Sequence, residues 1–153
     1  MTFGASQQST RPATQPPDRK DGPLLAELDH HECVVVLTEQ TVGRIGWKSP
    51  DGQLILPVNF AFLGTEIGFR TSPYGPLAEL VRPTPVAFEV DHLDERHLVA
   101  ESVLIQGVSH AASNPDWVSP DWSVSVVPWA GGQRRLSIEI TIHKITGRRI
   151  TRG

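Results

Sequence analysis

From Leu136 to His143 the side chains alternate without a break: Leu136, Ile138, Ile140 and Ile142 are apolar, while Ser137, Glu139, Thr141 and His143 are polar. Successive side chains of a strand point to opposite faces, so this pattern predicts a strand over about 136–146 with one buried face and one wet or paired face. Shorter apolar stretches bounded by Gly, Pro, Asp and Asn predict further strands at about 41–48, 54–63, 66–71, 85–91 and 99–111. Ser49-Pro50-Asp51-Gly52 and Leu63-Gly64-Thr65 are hairpin connections between the first three of these. An open sheet of six strands would expose two unpaired edges that two short helices cannot cover. Closing the sheet on itself removes them, so a six-stranded antiparallel barrel with two or three short helices is expected.

The helical signals are few. Asp29 followed by Glu32 three positions later is an N-cap with its acidic partner, and it opens a helix through about Leu37 whose Cys33, Val36 and Leu37 face the core. Gly75–Val81 has room for a helix of about two turns, stopped at Arg82-Pro83. Over 113–133, Pro115, Pro120, Pro128 and Gly131-Gly132 break every regular pattern, which predicts a long loop with one helical turn. Residues 1–22 are rich in Gln, Ser, Thr and Pro and poor in large apolar side chains. They read as a mobile tail ahead of a folded domain at 23–153.

Composition narrows the function classes. A chain of 153 residues suits one domain, and its net charge of −3 argues against a nucleic-acid-binding surface, which needs clustered Lys and Arg to replace counterions. The single cysteine, Cys33, cannot form an internal disulfide, and no secretory leader or bilayer-length apolar run is seen, so a cytoplasmic protein without a membrane partner is expected.

Three stretches combine residue types with chemical potential. In the first, Leu56-Pro57-Val58-Asn59-Phe60 is followed by Phe69-Arg70-Thr71-Ser72 and then by a helix start, an order that makes an anion cradle. The plainer reading is that Thr71 and Ser72 cap the helix, and pattern alone does not separate the two. In the second, Trp129 lies near Arg134, Arg135, Lys144, Arg148 and Arg149; these can serve a planar phosphorylated ligand or simply form a solvated face, the reading composition favours. The third, Asp91-His92-Leu93-Asp94-Glu95-Arg96-His97, is read as a polar loop between two strands rather than a metal site, since metal sites draw ligands from more than one element. No metal is therefore expected. His30 and His31 fall in an exposed first helical turn with no nucleophile nearby, and Cys33 reads as an inert core thiol. Gly-x-Ser-x-Gly, P-loop and dinucleotide fingerprints are absent from the sequence, which leaves hydrolase and kinase readings without support.

Taken in order, Thr41-Val42-Gly43-Arg44-Ile45-Gly46, Leu56–Phe60, Phe69-Arg70-Thr71, Pro85–Asp91, Ser102–Gly107 and Pro128-Trp129-Ala130 with Thr146–Ile150 resemble the pyridoxamine 5′-phosphate oxidase-like family, over about Leu24 to Ile150. The resemblance implies a split β-barrel, a two-fold homodimer and a flavin, FMN, held between subunits. It also implies roles by position. Pro57, Val58, Asn59 and Phe60 would line the flavin ring edge, largely through backbone groups. Arg70, Thr71 and Ser72 would approach the ribityl chain and phosphate, with Leu77 at a neighbouring contact position. Ser102 and Val103 would sit beneath the ring, and Trp129 and Arg135 would reach across the dimer. No catalytic residue is implied, because in such proteins the isoalloxazine carries the electrons of an oxidoreductase reaction on a small-molecule substrate.

The chain departs from that pattern at Gly75-Pro76-Leu77, where similar flavin-binding members carry a basic residue for the phosphate. A lost charge-assisted contact costs about 1.5–3 kcal/mol. The alternatives are compensation by Arg70 or Arg135, weak binding, a deazaflavin coenzyme, or a non-catalytic module with no cofactor. Trp117 and Trp122 likewise stand where a regular helix is expected, so the substrate side of the pocket does not carry over, and no second cluster of basic residues supports pyridoxamine phosphate itself as substrate.

Overall fold

The computed structural model describes residues 24–113 and 136–152, in the order β1 (Leu24–Leu28), α1 (His30–Glu39), β2 (Val42–Ser49), β3 (Gly52–Phe62), β4 (Glu66–Thr71), a 3-10 helix η1 (Pro76–Val81), β5 (Thr84–Asp94), β6 (Val99–Ala111) and β7 (Leu136–Thr151). The expected tail at 1–22, the loop at 114–133, and Trp129 and Arg135 lie outside the described residues. All pairings are antiparallel, and the sheet runs β7-β4-β3-β2-β5-β6 and back to β7. The six expected strands therefore close into a ring that resembles a split barrel.

β1 was not anticipated as a strand. Its Leu-Leu-Ala-Glu-Leu sequence shows no alternation, because four of its five residues are exposed and only Leu28 is buried. It forms by pairing with the last third of β7, from Leu24 opposite Thr151 to Leu28 opposite Gly147. β7 is correspondingly longer than the alternation predicts. Between Gln106 and Gly107 of β6 the register slips, leaving His143 as an extra residue on β7. Such a bulge moves the buried face to the other parity. Ile138 and Ile140 point inward before it, whereas Ile145 and Gly147 are the shielded positions after it. The Arg148-Arg149 stretch is thus part of this strand, with Arg148 exposed as on a solvated face and Arg149 half-buried.

Inside the ring, Ile45, Phe60, Ile67, Phe69, Phe88, Val90, Val103, Ile105, Ile138 and Ile140 are almost completely buried. Phe60 and Phe88 meet edge to face with ring centres 5.0 Å apart. The two helices close opposite ends. α1 starts with a full capping box, the Asp29 carboxylate accepting from Glu32 N at 2.8 Å and the Glu32 carboxylate from Asp29 N at 2.9 Å. It turns Cys33, Val36 and Leu37 into the core as expected and runs two residues past Leu37. Glu32 also meets Arg149 at 3.0 Å, and Arg149 meets Glu101 of β6 at 2.7 Å, so the cap of α1 is tied to the β6–β7 ladder. At the other end Leu80 of η1 is fully buried and Trp47 Nε1 donates to the Glu79 carboxylate.

The polar stretch Asp91–His97 is only partly a loop. β5 continues to Asp94, pairing Asp91 with Ser102 and Asp94 with Val99, and the reversal is confined to Glu95–Leu98. Hydrogen bonding extends the strand where composition alone read a loop: Asp94 Oδ1 accepts from Arg96 N and His97 N, so this aspartate starts the turn. Among the described residues no helix is long and apolar enough to cross a membrane.

Gly147 is where α1 and β1 meet the barrel. A Cβ placed there would lie 2.6 Å from Cys33 Sγ and 2.9 Å from Leu28 Cβ, closer than van der Waals contact permits. Gly147→Ala is expected to cost roughly 1–3 kcal/mol and to lower Tm by roughly 3–10 °C. A thermal melt by circular dichroism checks this; an unchanged Tm would show that helix and strand are not packed so closely.

Candidate functional site

The barrel is split at the β3–β4 seam. Only Phe60–Phe62 and Ile67–Phe69 pair across it. Beyond Phe60 in one direction and Phe69 in the other, the main chains of Pro57–Asn59 and of Arg70–Thr71 leave that ladder, though each strand keeps its other neighbour: Pro57 lies opposite Arg44 of β2, and Arg70 opposite Ser137 of β7. Pro57, lacking an N–H, suits a strand position that needs no donor. The groups Pro57–Asn59 and Arg70–Ser72 therefore flank the opening at the end of the short β3–β4 ladder.

Within each group the side chains divide by face. Val58 and Phe60 are 7% and 1% exposed and point into the core, so they can meet a ligand only through their main chain. Pro57 is exposed and Asn59 half-buried on the outside. Arg70 is half-buried with its Nε shut off from solvent, Thr71 is buried, and Ser72 is half-buried. Thr71 shares the inward parity of Ile67 and Phe69, so only the Arg70 guanidinium and the Ser72 hydroxyl are side chains placed to serve a phosphate where the chain leaves the strand.

Neither Thr71 nor Ser72 caps the following helix, so the plainer of the two readings is overturned. The N-cap of η1 is Gly75, with no side-chain cap, and the Ser72 hydroxyl instead accepts from Tyr74 N at 3.2 Å. The cradle reading is narrowed as well. η1 is a six-residue 3-10 helix with Pro76 in its first turn, so it lacks both the aligned dipole of a long α-helix and one N–H. Its Leu77 is half-buried against the core cluster. Side-chain anion affinity at the gap rests on Arg70 and Ser72.

Ser102 and Val103 lie elsewhere on the ring. Val103 is fully buried between Val90 and Gly147, while Ser102 is half-buried on the outer face between Asp91 and Arg148. Register places Asn59 opposite Val42, and Arg44 between Pro57 and Glu89, so one outer face runs across β3, β2, β5 and β6. On it Ile55, Val42 and Leu104 are 71%, 43% and 38% exposed, with Gly46 and Ala87 presenting almost no side chain between them. Arg44 also sits there, 2.6 Å from Asp91. Residues this far apart in sequence had no local signal to mark them; only the register joins them.

Two surface recesses of about 450 Å³ flank this face. One is almost wholly apolar, lined by Leu93, Leu98, Val99 and Ile150 among others; the other is lined by Ala87, Gln106, His143 and Lys144 among others. Neither is lined by the residues assigned to the flavin. A third grouping, Glu66, His110 and Glu139, collects ligand-type side chains from β4, β6 and β7.

His30 and His31 are exposed, as expected, and Cys33 is 1% exposed. Burial, with the nearby Asp29 and Glu32 carboxylates, pushes the Cys33 thiol above the usual thiol range. Thiolate is therefore scarce at neutral pH. The native protein is expected to react with a disulfide reagent at pH 8 at least tenfold more slowly than the urea-unfolded chain, with the rate still rising above the ordinary thiol pKa of about 8.5. Equal rates in the two states would contradict an inert core thiol.

Residues 29–149 match the profile of the pyridoxamine 5′-phosphate oxidase family. Over 131 residues the chain is 27% identical to the uncharacterized protein Rv0080 of Mycobacterium tuberculosis, covering 82% of this chain and 86% of that one. Among solved structures it is similar to a putative pyridoxamine 5′-phosphate oxidase from Corynebacterium glutamicum, with 26% identity, TM-score 0.68, and 87% and 97% of the two chains covered. It is also similar in fold to a FAD-binding protein from Mesorhizobium loti, with 22% identity, TM-score 0.71, and 82% and 98% covered.

Proposed function

Because the chain belongs to the pyridoxamine 5′-phosphate oxidase family, we propose that it is a flavin-binding oxidoreductase that works as a homodimer, with FMN at the subunit seam. The observation that carries this reading is the split itself. At the β3–β4 gap the main chain of Pro57–Asn59 leaves the shared ladder on one side and Arg70–Ser72 on the other, so a backbone edge and a guanidinium flank the opening. Support for a flavin also comes from the FAD-binding protein of the same fold.

When bound, the flavin supplies the redox chemistry. The chain's own residues bind, orient and exclude water. Arg70 would neutralise phosphate charge, the Ser72 hydroxyl and the Thr71 main chain would hydrogen bond to the phosphorylated chain, and the backbone of Pro57–Asn59 would hold the edge of the ring. The outer face bearing Val42, Ile55, Pro57 and Leu104 is the surface a second subunit would cover, shielding the ring from solvent.

One observation favours a second reading. Pro76 and Leu77 occupy the start of η1, where a basic residue would otherwise serve the phosphate, and Pro76 has no N–H to replace it. A site that prefers a deazaflavin, or that has lost its cofactor, fits this departure.

The readings separate in solution. The purified protein is expected to absorb near about 450 nm and to release FMN on denaturation, and Arg70→Ala is expected to weaken flavin binding by roughly tenfold to a hundredfold in a fluorescence titration. A colourless protein that binds only the deazaflavin moves the assignment to that coenzyme. One that binds FMN, FAD and deazaflavin equally poorly sinks it.

Ile55→Glu places a charge on the most exposed apolar position of the face. It is expected to convert a dimer to a monomer in sedimentation at micromolar concentration without altering the far-ultraviolet spectrum. A wild-type chain that sediments as a monomer would dispose of the dimer.

A further inference from the structure

Glu66 of β4, His110 of β6 and Glu139 of β7 each present one ligand atom, and these three atoms lie within 4.8 Å of one another. The ladders explain the meeting: Glu139 stands opposite both Gly68 and His110, and Thr141 stands opposite Glu66. Three strands of one closed sheet therefore hold the three side chains, which is how a site with ligands fixed from several elements is built.

Each ligand is aimed by a group outside the trio. His110 Nδ1 lies 2.9 Å from the carbonyl oxygen of Ala111, an acceptor only, so Nδ1 carries the proton and Nε2 presents its lone pair. A backbone carbonyl fixing the far nitrogen is the usual support of a metal-binding histidine. Nε2 is 3.7 Å from Glu66 Oε1, close to the edge of about 3.4 Å that separates two ligands of a tetrahedral ion with bonds near 2.1 Å. Glu139 is held by Ser113 N, which donates to its Oε2 at 3.2 Å. The side chain is buried, at 3% exposure. Thr141 Oγ1 sits 2.9 Å from His110 Nε2 and 3.4 Å from Glu66 Oε1, so its hydroxyl can rest on the imidazole when no ion is present and turn to Glu66 when one is.

We propose that Glu66, His110 and Glu139 form a binding site for a divalent transition-metal ion, with one imidazole and two carboxylate ligands. Such a set suits zinc, manganese or iron(II), and three protein ligands leave a coordination position open to water or a small ligand. The site is separate from the flavin assignment and stands whether or not a flavin is bound.

The probe is Zn²⁺, added to the untagged, metal-stripped full chain and followed by isothermal titration and by metal analysis after dialysis, with Mn²⁺ as a second probe. One Zn²⁺ per chain is expected at micromolar or tighter affinity. His110→Ala, Glu66→Gln and Glu139→Gln are each expected to weaken it roughly tenfold or more. If Glu139→Gln does not fold, the two half-buried positions carry the mutational test. In the wild-type chain, Zn²⁺ should shift the His110 ring resonances in a long-range nitrogen-correlated spectrum. Failure to bind either ion below about 100 µM, retention of Zn²⁺ by both His110→Ala and Glu66→Gln, or an unmoved His110 ring with shifts only at His30, His31 or His97 would each overturn the proposal.

Discussion

Every strand of the ring has neighbours on both edges only because β7 is long enough to serve three partners. Along one side it pairs with β6 from Ile138 to Thr151; along the other it pairs first with β4 and then with β1. Take that strand away and β4 and β6 both become sheet edges, exposing the unpaired N–H and C=O groups that closed barrels avoid. The demand explains the bulge at His143. A strand wrapped by β4 over its first part and by β1 and α1 over its last must change which parity faces inward, and a single extra residue achieves this without interrupting the β6 ladder. Arg149 then lies on the side of α1, where it joins Glu32 and Glu101. Those two carboxylates hold the guanidinium firmly in its charged form.

Legibility in the sequence follows the range of the interactions. The capping box of α1 was legible because its partners are three residues apart, and β2 to β6 were legible because apolar runs and turn residues are local. β1 was not, since Leu24–Leu28 has no periodicity of its own and is a strand only by docking on β7. The end of β7 was placed too early, at about 146, for a related reason: the bulge breaks the alternation that had revealed its beginning. Asp91–Asp94 was missed for another reason, a strand hidden under polar residues because the outer side of a β5–β6 ribbon tolerates them.

The site divides along the same line. That Pro57–Asn59 and Arg70–Ser72 flank one short ladder was readable, because β3 and β4 are a hairpin. That Val58, Phe60 and Val103 face the core was not assigned from the resemblance, which transfers positions and not orientations. The Glu66, His110 and Glu139 grouping had no signal at all. The sequence criterion for a metal site, ligands drawn from more than one element, was sound, but it was applied to the contiguous Asp91–His97 stretch. The residues that meet the criterion come together only when β4, β7 and β6 lie side by side.

Glu66, Gly68 and Arg70 share the outer face of β4, because alternate residues of a strand do. Glu66 and Arg70 are four residues apart, a spacing of roughly 13 Å along the strand. Between them Gly68 has no side chain, and the residue opposite it on β7 is Glu139. The arrangement orders charge along one strand: a guanidinium suited to an anion at the split, and a carboxylate pair suited to a cation further on. Two oppositely charged ligands can occupy such a face together with favourable electrostatics, whereas two anions could not.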